Sequence, residues 1–117
     1  MRYPIAIEPG DEMTAFGVAI PDLPGCFSAG DSLDEAIANA SDAITLWIET
    51  VLEDDGEVPL PSQIEIHRRN PDFNGWIWAL VDVDPAALSE IDEHARIHHE
   101  TRAGFLAKAA IGAMRTR

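Results

Sequence analysis

One long amphipathic helix is the sequence feature that most constrains how this chain can fold. Ser32-Leu33-Asp34-Glu35 has the form of a capping box, in which the serine hydroxyl bonds the Glu35 amide and the glutamate reaches back. Apolar residues then recur at helical spacing, and the acidic residues lie largely off their stripe. The stripe consists of Leu33, Ala36, Ile37, Ala40, Ile44, Trp47, Ile48 and Val51. We expect the helix to end between Leu52 and Asp55 and to pack this face on a sheet.

Short apolar runs bounded by turn residues predict the strands of that sheet. The runs span residues 3–8, 15–20, 26–29 and 76–83. The last run is almost continuously apolar, which indicates burial on both faces, or on one face with a partner chain covering the other. Residues 62–69 fit either a short helix or a strand. The pattern predicts an α+β fold of β-β-β-α-β order, with a small antiparallel or mixed sheet packed on one long helix.

A helical tail follows the last strand. Asp84-Pro85 marks its start, because Asp is a good N-cap and proline is tolerated at the first helical position. Thr101 can cap a second helix, giving a hairpin with little apolar area of its own. Such a hairpin has to dock on something, and a second copy of the chain is the economical choice. We therefore expect a domain over residues 1–84, a helical unit over 85–117, and a homodimer or homotetramer.

The negative charge of the chain is concentrated in its first two thirds. The formal net charge is −13; residues 1–75 hold 15 Asp and Glu against three Arg, and residues 76–117 hold six acids against five bases. An acidic surface of this kind repels nucleic acid and attracts a basic partner, unless it only keeps the protein soluble. Contact with nucleic acid would have to come from the nearly neutral tail.

Other features point to the cytoplasm. No apolar run reaches the roughly 18 residues that a membrane-spanning helix requires. The N-terminus lacks the apolar segment and small-residue cleavage site of a secretory signal. The single cysteine, Cys26, fits a small buried residue beside a turn in a reducing compartment.

No set of residues forms a convincing catalytic or metal site. His94 and His98 are four residues apart and could hold zinc from one helix face, but Ala95 stands where the HExxH motif has its glutamate. An exposed helix end explains these histidines equally well. Carboxylates near strand ends could gather around magnesium, although no spacing singles them out. We expect no enzymatic activity, no cofactor and no bound metal.

The segment between the second strand and the long helix resembles the HicB antitoxin family. Pro21-Asp22-Leu23-Pro24-Gly25-Cys26, followed by Gly30-Asp31-Ser32-Leu33-Asp34-Glu35-Ala36, looks like that family's signature of PDLPGC and GD(S/T)xEEA. Residues 78–84 are similar to the strand that closes its N-terminal domain. Residues 100–110 are similar to the second helix of the ribbon-helix-helix unit that some members carry.

This resemblance implies a partial RNase H-like domain without nuclease chemistry. Such a domain masks a small basic toxin of the HicA type, which cleaves mRNA, and the C-terminal unit dimerises and binds the operator of its own operon. We expect toxin contacts from acids near the strand ends and from one apolar anchor. These residues are Glu8, Asp11, Glu12, Asp22 and Asp31, with Phe27 as the anchor.

The DNA-contacting ribbon of that unit is the point where this sequence departs from the family. Residues 83–85 run almost directly into the first tail helix, so either the protein lacks the ribbon or a segment is absent from the sequence. Thr101 and Arg102 at a helix N-terminus can hold a phosphate, and Arg96 and Lys108 can assist. This set is enough to anchor a DNA backbone and too small to read bases.

Two other functions stay open at this level. A residual metal-dependent nuclease would bind magnesium or manganese at the strand-end carboxylates and turn over RNA. A homo-oligomeric transcriptional repressor without a toxin partner would bind its own promoter in a salt-dependent way and would have no toxin affinity.

Overall fold

The computed structural model, which describes residues 1–97, confirms the α+β fold and the β-β-β-α-β order. The second tail helix, predicted to begin at Thr101, lies outside the described residues. Within residues 1–97 the strands are β1 (Arg2–Glu8), β2 (Phe16–Ala19), β3 (Phe27–Gly30) and β4 (Ile77–Asp82). The helices are α1 (Leu33–Glu53), α2 (Ile64–Arg68) and α3 (Pro85–Ile97), with a 3-10 turn at Pro71–Phe73.

The strands form one antiparallel sheet in the order β3-β2-β1-β4. The central strand is β1, in which Ile7 pairs with Val18 of β2 and with Ile77 of β4. All residues from position 3 to position 7 are buried, so both faces of β1 are covered. The two edges of the sheet are therefore β3 and β4.

The apolar run at residues 76–83 indicated a strand that is buried on both faces. For the chain by itself, this prediction is wrong. Val81 is the one buried residue of β4, whereas Ile77 and Leu80 are 42% and 51% exposed. The physical reason is that β4 lies at the edge of the sheet, where α1, which packs mainly on β3, covers little of its surface. Coverage by a partner chain stays a prediction.

Helix α1 begins and ends where the sequence predicts. The Ser32 hydroxyl accepts a hydrogen bond from the Glu35 amide at 3.1 Å, and Asp34 and Glu35 carry the negative charge that favours a helix N-terminus. The buried side of the helix consists of Ala36, Ala40, Ile44, Ile48 and Leu52. This side packs with the inward residues of β1 and β2 to form the core.

The first turns of α1 lie unusually close to β3. A Cβ atom at Gly30 would lie 2.4 Å from the backbone nitrogen of Ala36, which is closer than two such non-bonded atoms can approach. One turn further along, the Asn39 side-chain amide donates to the carbonyl of Ala29 at 2.8 Å. The helix is thus held directly against the edge strand.

The connection after α1 crosses the end of the core. Val58 is fully buried, and the Tyr3 hydroxyl donates to the Pro59 carbonyl at 2.6 Å. Burial, with a smaller contribution from the charge of Asp22, raises the pKa of the Tyr3 phenol far above its usual value. The chain then forms α2, so the ambiguous stretch at residues 62–69 contains a helix.

The first tail helix docks on its own chain. The Asp84 carboxylate accepts a hydrogen bond from the Ala86 amide at 2.8 Å, as expected of an N-cap. Ala87, Ile91 and Ala95 of α3 are buried, and α3 packs against α1. A partner chain is therefore not required to cover α3, and the division of the chain at residue 84 stays a prediction.

Replacing Gly30 with alanine tests the close approach of α1 to β3. We expect Gly30→Ala to lower the free energy of unfolding by about 1–3 kcal/mol or more, because its Cβ overlaps helix backbone that cannot move independently. Gly17→Ala is the matched control, since its Cβ meets nothing closer than 3.7 Å. Urea unfolding of both variants measures the difference, and equal midpoints would contradict the packing described.

Candidate functional site

Four of the predicted contact residues gather at one end of the sheet. β1 ends at Glu8, and β3, which points in the same direction, ends one residue before Asp31. Asp11 and Glu12 lie between β1 and β2 at this same end. All four side chains are exposed. We call Glu8, Asp11, Glu12 and Asp31 the acidic end, a surface that favours the approach of a cationic partner.

Asp11 also shapes the turn in which it lies. Its carboxylate accepts hydrogen bonds from the amides of Met13 and Thr14 at 2.7 and 2.8 Å, and from the Thr14 hydroxyl at 2.9 Å. These bonds to the ionised form lower the pKa of Asp11 below its usual value. The residue therefore keeps its negative charge while it holds the turn.

Asp22 lies apart from the acidic end and is already engaged. Its carboxylate accepts from the Ser62 amide at 2.9 Å and from the Ser62 hydroxyl at 2.6 Å, and lies 3.1 Å from the His67 Nε2 atom. Its side chain is 10% exposed. Asp22 thus ties the bend before β3 to the segment that carries α2, and its role as a toxin contact stays a prediction.

Ser62, His67 and Asp22 do not have the geometry of a hydrolytic triad. In a triad the carboxylate holds Nδ1 of the imidazole while Nε2 takes the serine proton. Here the Ser62 hydroxyl lies 2.6 Å from His67 Nε2, and the Asp22 oxygen approaches the same ring nitrogen. The imidazole ring stacks on Trp78, with centroids 6.0 Å apart. This arrangement braces α2 against the sheet.

The strand-end carboxylates do not converge as a metal site would require. The acidic end and Asp22 lie at opposite ends of the sheet, and no group of three or more His, Cys, Asp or Glu side chains within residues 1–97 is placed to hold a metal. His94 lies on α3, whereas His98 is outside the described residues. None of the helices within residues 1–97 is long and apolar enough to cross a membrane.

Phe27 lies at the other end of β3 from Asp31 and is 70% exposed. It lines an open groove of about 320 Å³ between β3 and α1, together with Leu46, which is 65% exposed. The rest of the lining consists of Gly25, Cys26, Ala43, Trp47, Thr50 and Val51. Leu46 was missed by the sequence analysis because it lies off the apolar stripe. No local signal singles it out, because isolated exposed leucines are common on protein surfaces.

The floor of this groove is fixed by burial and hydrogen bonding. Cys26 is buried, as expected of a small residue beside a turn, and burial raises the pKa of its thiol to about 11. The Trp47 indole donates to the Pro24 carbonyl at 3.0 Å, which ties α1 to the bend that precedes β3.

Arg96 is the one predicted DNA contact among the described residues. It is exposed on α3 and pairs with Glu93, with Nε 3.2 Å from a carboxylate oxygen. This ion pair raises the pKa of Arg96 and lowers that of Glu93. The other three, Thr101, Arg102 and Lys108, lie outside the described residues.

A family model described as the HicB-like antitoxin of bacterial toxin–antitoxin systems matches residues 3–91. The chain belongs to this family. The match covers all four strands, α1, α2 and the first half of α3. It therefore includes the acidic end, the groove and the bend that holds Asp22.

Similar proteins agree with this assignment. The crystal structure of the HicB antitoxin of Burkholderia pseudomallei is 36% identical, with a TM-score of 0.67 over 97% of this chain and 98% of that one. A chain of a HicA3 and HicB3 toxin–antitoxin complex is 31% identical, with a TM-score of 0.63 over 73% of this chain and 100% of that one. An uncharacterised 14.9 kDa protein of Haemophilus phage HP1 is 40% identical over 128 residues, covering 94% of this chain and 95% of its own length.

Lengths differ among these relatives. The stretch aligned with the phage protein spans 128 residues but only 94% of this chain, about 110 of its 117 residues, so the phage protein has about 18 residues there without a counterpart. The chain spans only 41–48% of the length of the curated HicB antitoxins that it matches in Photorhabdus laumondii and Escherichia coli.

Substituting Asp22 tests its structural role. We expect Asp22→Asn to lower the free energy of unfolding by about 1–3 kcal/mol, because a neutral amide cannot accept all the bonds that Ser62 and His67 now make. Asp31→Asn, an exposed control, should change stability by less than about 0.5 kcal/mol. Chemical unfolding of the two variants gives the comparison. Equal stabilities would show that the Asp22 cluster does not hold the bend.

Proposed function

We propose that this chain is an antitoxin that binds and neutralises a small basic toxin of the HicA type, one that cleaves mRNA. The observation that carries the proposal is the strong negative charge of this chain's domain, which belongs to an antitoxin family. Residues 3–66 contain 14 Asp and Glu and no Lys, Arg or His. The likeness to a chain of the HicA3 and HicB3 complex supports the same partner class.

Masking explains neutralisation without any chemistry by the antitoxin. A protein that cleaves mRNA has to present basic side chains to phosphates. An acidic protein surface competes for those side chains, speeds encounter by electrostatic steering and covers the RNA site once bound. The chain therefore needs no enzymatic activity of its own, and it meets its toxin in the cytoplasm, where mRNA is.

The edge strand β3 gives the proposed contact surface its geometry. It carries Phe27 at one end and is followed by Asp31 at the other, a span of about 13 Å for four residues. A standard protein interface of about 800 Å² per partner is wide enough to cover both. Glu8, Asp11 and Glu12 extend that surface, whereas Asp22 contributes through the fold because its carboxylate is engaged.

Repression of its own operon is the second part of the proposal. The acidic domain repels DNA, so contact falls to the tail, through Arg96, Thr101, Arg102 and Lys108. A homodimer or homotetramer would present two or four copies of these few basic residues to the DNA. Because β4 runs almost directly into α3, residues 83–85 leave no room for a DNA-contacting ribbon. Such a tail would anchor phosphates and discriminate little between sequences.

Co-expression with the small basic protein encoded beside this gene tests the antitoxin function. We expect this chain to restore growth and to co-purify with the toxin. Glu12→Lys combined with Asp31→Lys should slow association about tenfold at low salt. Glu65→Lys combined with Asp72→Lys, an equal charge change on α2 and the 3-10 turn, should have a smaller effect.

A toxic neighbour that this chain neither binds nor neutralises would contradict the antitoxin function. Binding to its own promoter, measured as a function of salt without toxin, would then favour the repressor function.

A further inference from the structure

We propose that the groove between β3 and α1 is where the toxin anchors, receiving an apolar side chain flanked by lysines or arginines. This inference rests on the proposed antitoxin function and assigns it a location. The groove combines exposed apolar residues, a fixed shape and acidic borders.

Phe27 and Leu46 provide the apolar part of the groove. They are 19 positions apart in the sequence and belong to different elements, yet the fold places them on one concavity of about 320 Å³. Both are mostly exposed, at 70% and 65%. Neither side chain contributes much to the core, so the fold gains little from having large apolar residues at these positions.

Hydrogen bonds hold the groove open before any partner arrives. The Trp47 indole is tied to Pro24, and the bend behind it is closed by backbone bonds from Leu23 to Ile20 and from Cys26 to Leu23, each at 3.0 Å. Gly25 lines the groove with a φ of +78°, a conformation that a residue with a side chain rarely adopts. A site formed in advance avoids the entropy cost of ordering loops on binding.

Acidic side chains border the groove on α1. Asp42, Glu49 and Glu53 lie four residues before, three after and seven after Leu46, which places them on the same side of the helix. Neither α1, β3 nor the bend between β2 and β3 carries a lysine, arginine or histidine. The border is therefore complementary to a cationic partner.

The acidic side chains beside the groove favour a basic binding partner over a second copy of this chain. A second copy placed symmetrically on the groove would bring Asp42, Glu49 and Glu53 close to the same three residues of its mate, which is repulsive. An apolar partner side chain surrounded by basic residues would bury Phe27 and Leu46. Its basic neighbours would in addition be attracted by the acidic side chains of α1. A small basic toxin is the partner that supplies this combination.

Binding of the full-length chain to the purified toxin tests the location. We expect Phe27→Ala and Leu46→Ala each to raise the Kd by about tenfold or more. Leu80→Ala on the opposite edge strand, also about half exposed, should keep the Kd within about threefold of the original. Because all three side chains are largely exposed, the variants should unfold at similar urea concentrations. Asp42→Asn combined with Glu49→Gln should also weaken the salt dependence of binding.

The possible results separate the two proposals. If the unaltered chain fails to bind the toxin, the antitoxin function itself is refuted. If the unaltered chain binds and the groove variants bind equally well, only the assigned location is refuted. A change from dimer to monomer in the groove variants with unchanged toxin affinity would identify a self-interface instead. Faster tryptic cleavage after Arg102 and Lys108, again with unchanged affinity, would identify the chain's own tail as the occupant.

Discussion

The close packing of α1 against the edge strand β3 is the contact on which the rest of this structure depends. Gly30 leaves room for the backbone of the first helical turn, and Ala36 and Ala40 keep the next turns close to the sheet. Ile44 and Ile48 then fill the core further along, each with a burial worth about 1.5–3 kcal/mol. A larger side chain at position 30 would push the first turn of α1 away from β3.

The bend between β2 and β3 carries the second constraint. It begins with Pro21 and turns at Gly25, and its Asp22 carboxylate is bonded to Ser62 and His67 of the segment that carries α2. The PDLPGC string that resembles the HicB signature is thus explained by folding requirements. Its acidic residue secures the loop, and its glycine and cysteine line the groove. The same bend leads into β3 with Phe27 exposed at its start.

The local elements could be predicted from the sequence, since their signals are local. The capping serine, the helical stripe and the turn residues gave α1 and the strands with bounds that differ from the structure by a residue or two. Burial of β4 could not be predicted in this way, because an apolar run does not reveal how much of its strand a helix covers. The partners of Asp22 lie 40 and 45 positions away, beyond any local pattern.

The candidate site shows the same division. Phe27, Asp31 and the other acids could be proposed from charge and turn placement, but Leu46 became visible only when α1 was placed beside β3. The family assignment extends from residue 3 to residue 91 and so does not depend on residues 92–117. The proposed toxin contact rests on three features together, which are the edge strand β3, the groove and the acidic side chains of α1 beside Leu46.

Hydrogen–deuterium exchange of the chain with and without the toxin shows which strand the toxin covers. We expect slower exchange of amides in β3 and around Leu46 in the complex, with Ile77–Asp82 unchanged, because the proposed anchor site lies on the edge strand that carries Phe27. Slower exchange in β4 or α2, with β3 unaffected, would contradict it and move the toxin to the opposite edge of the sheet.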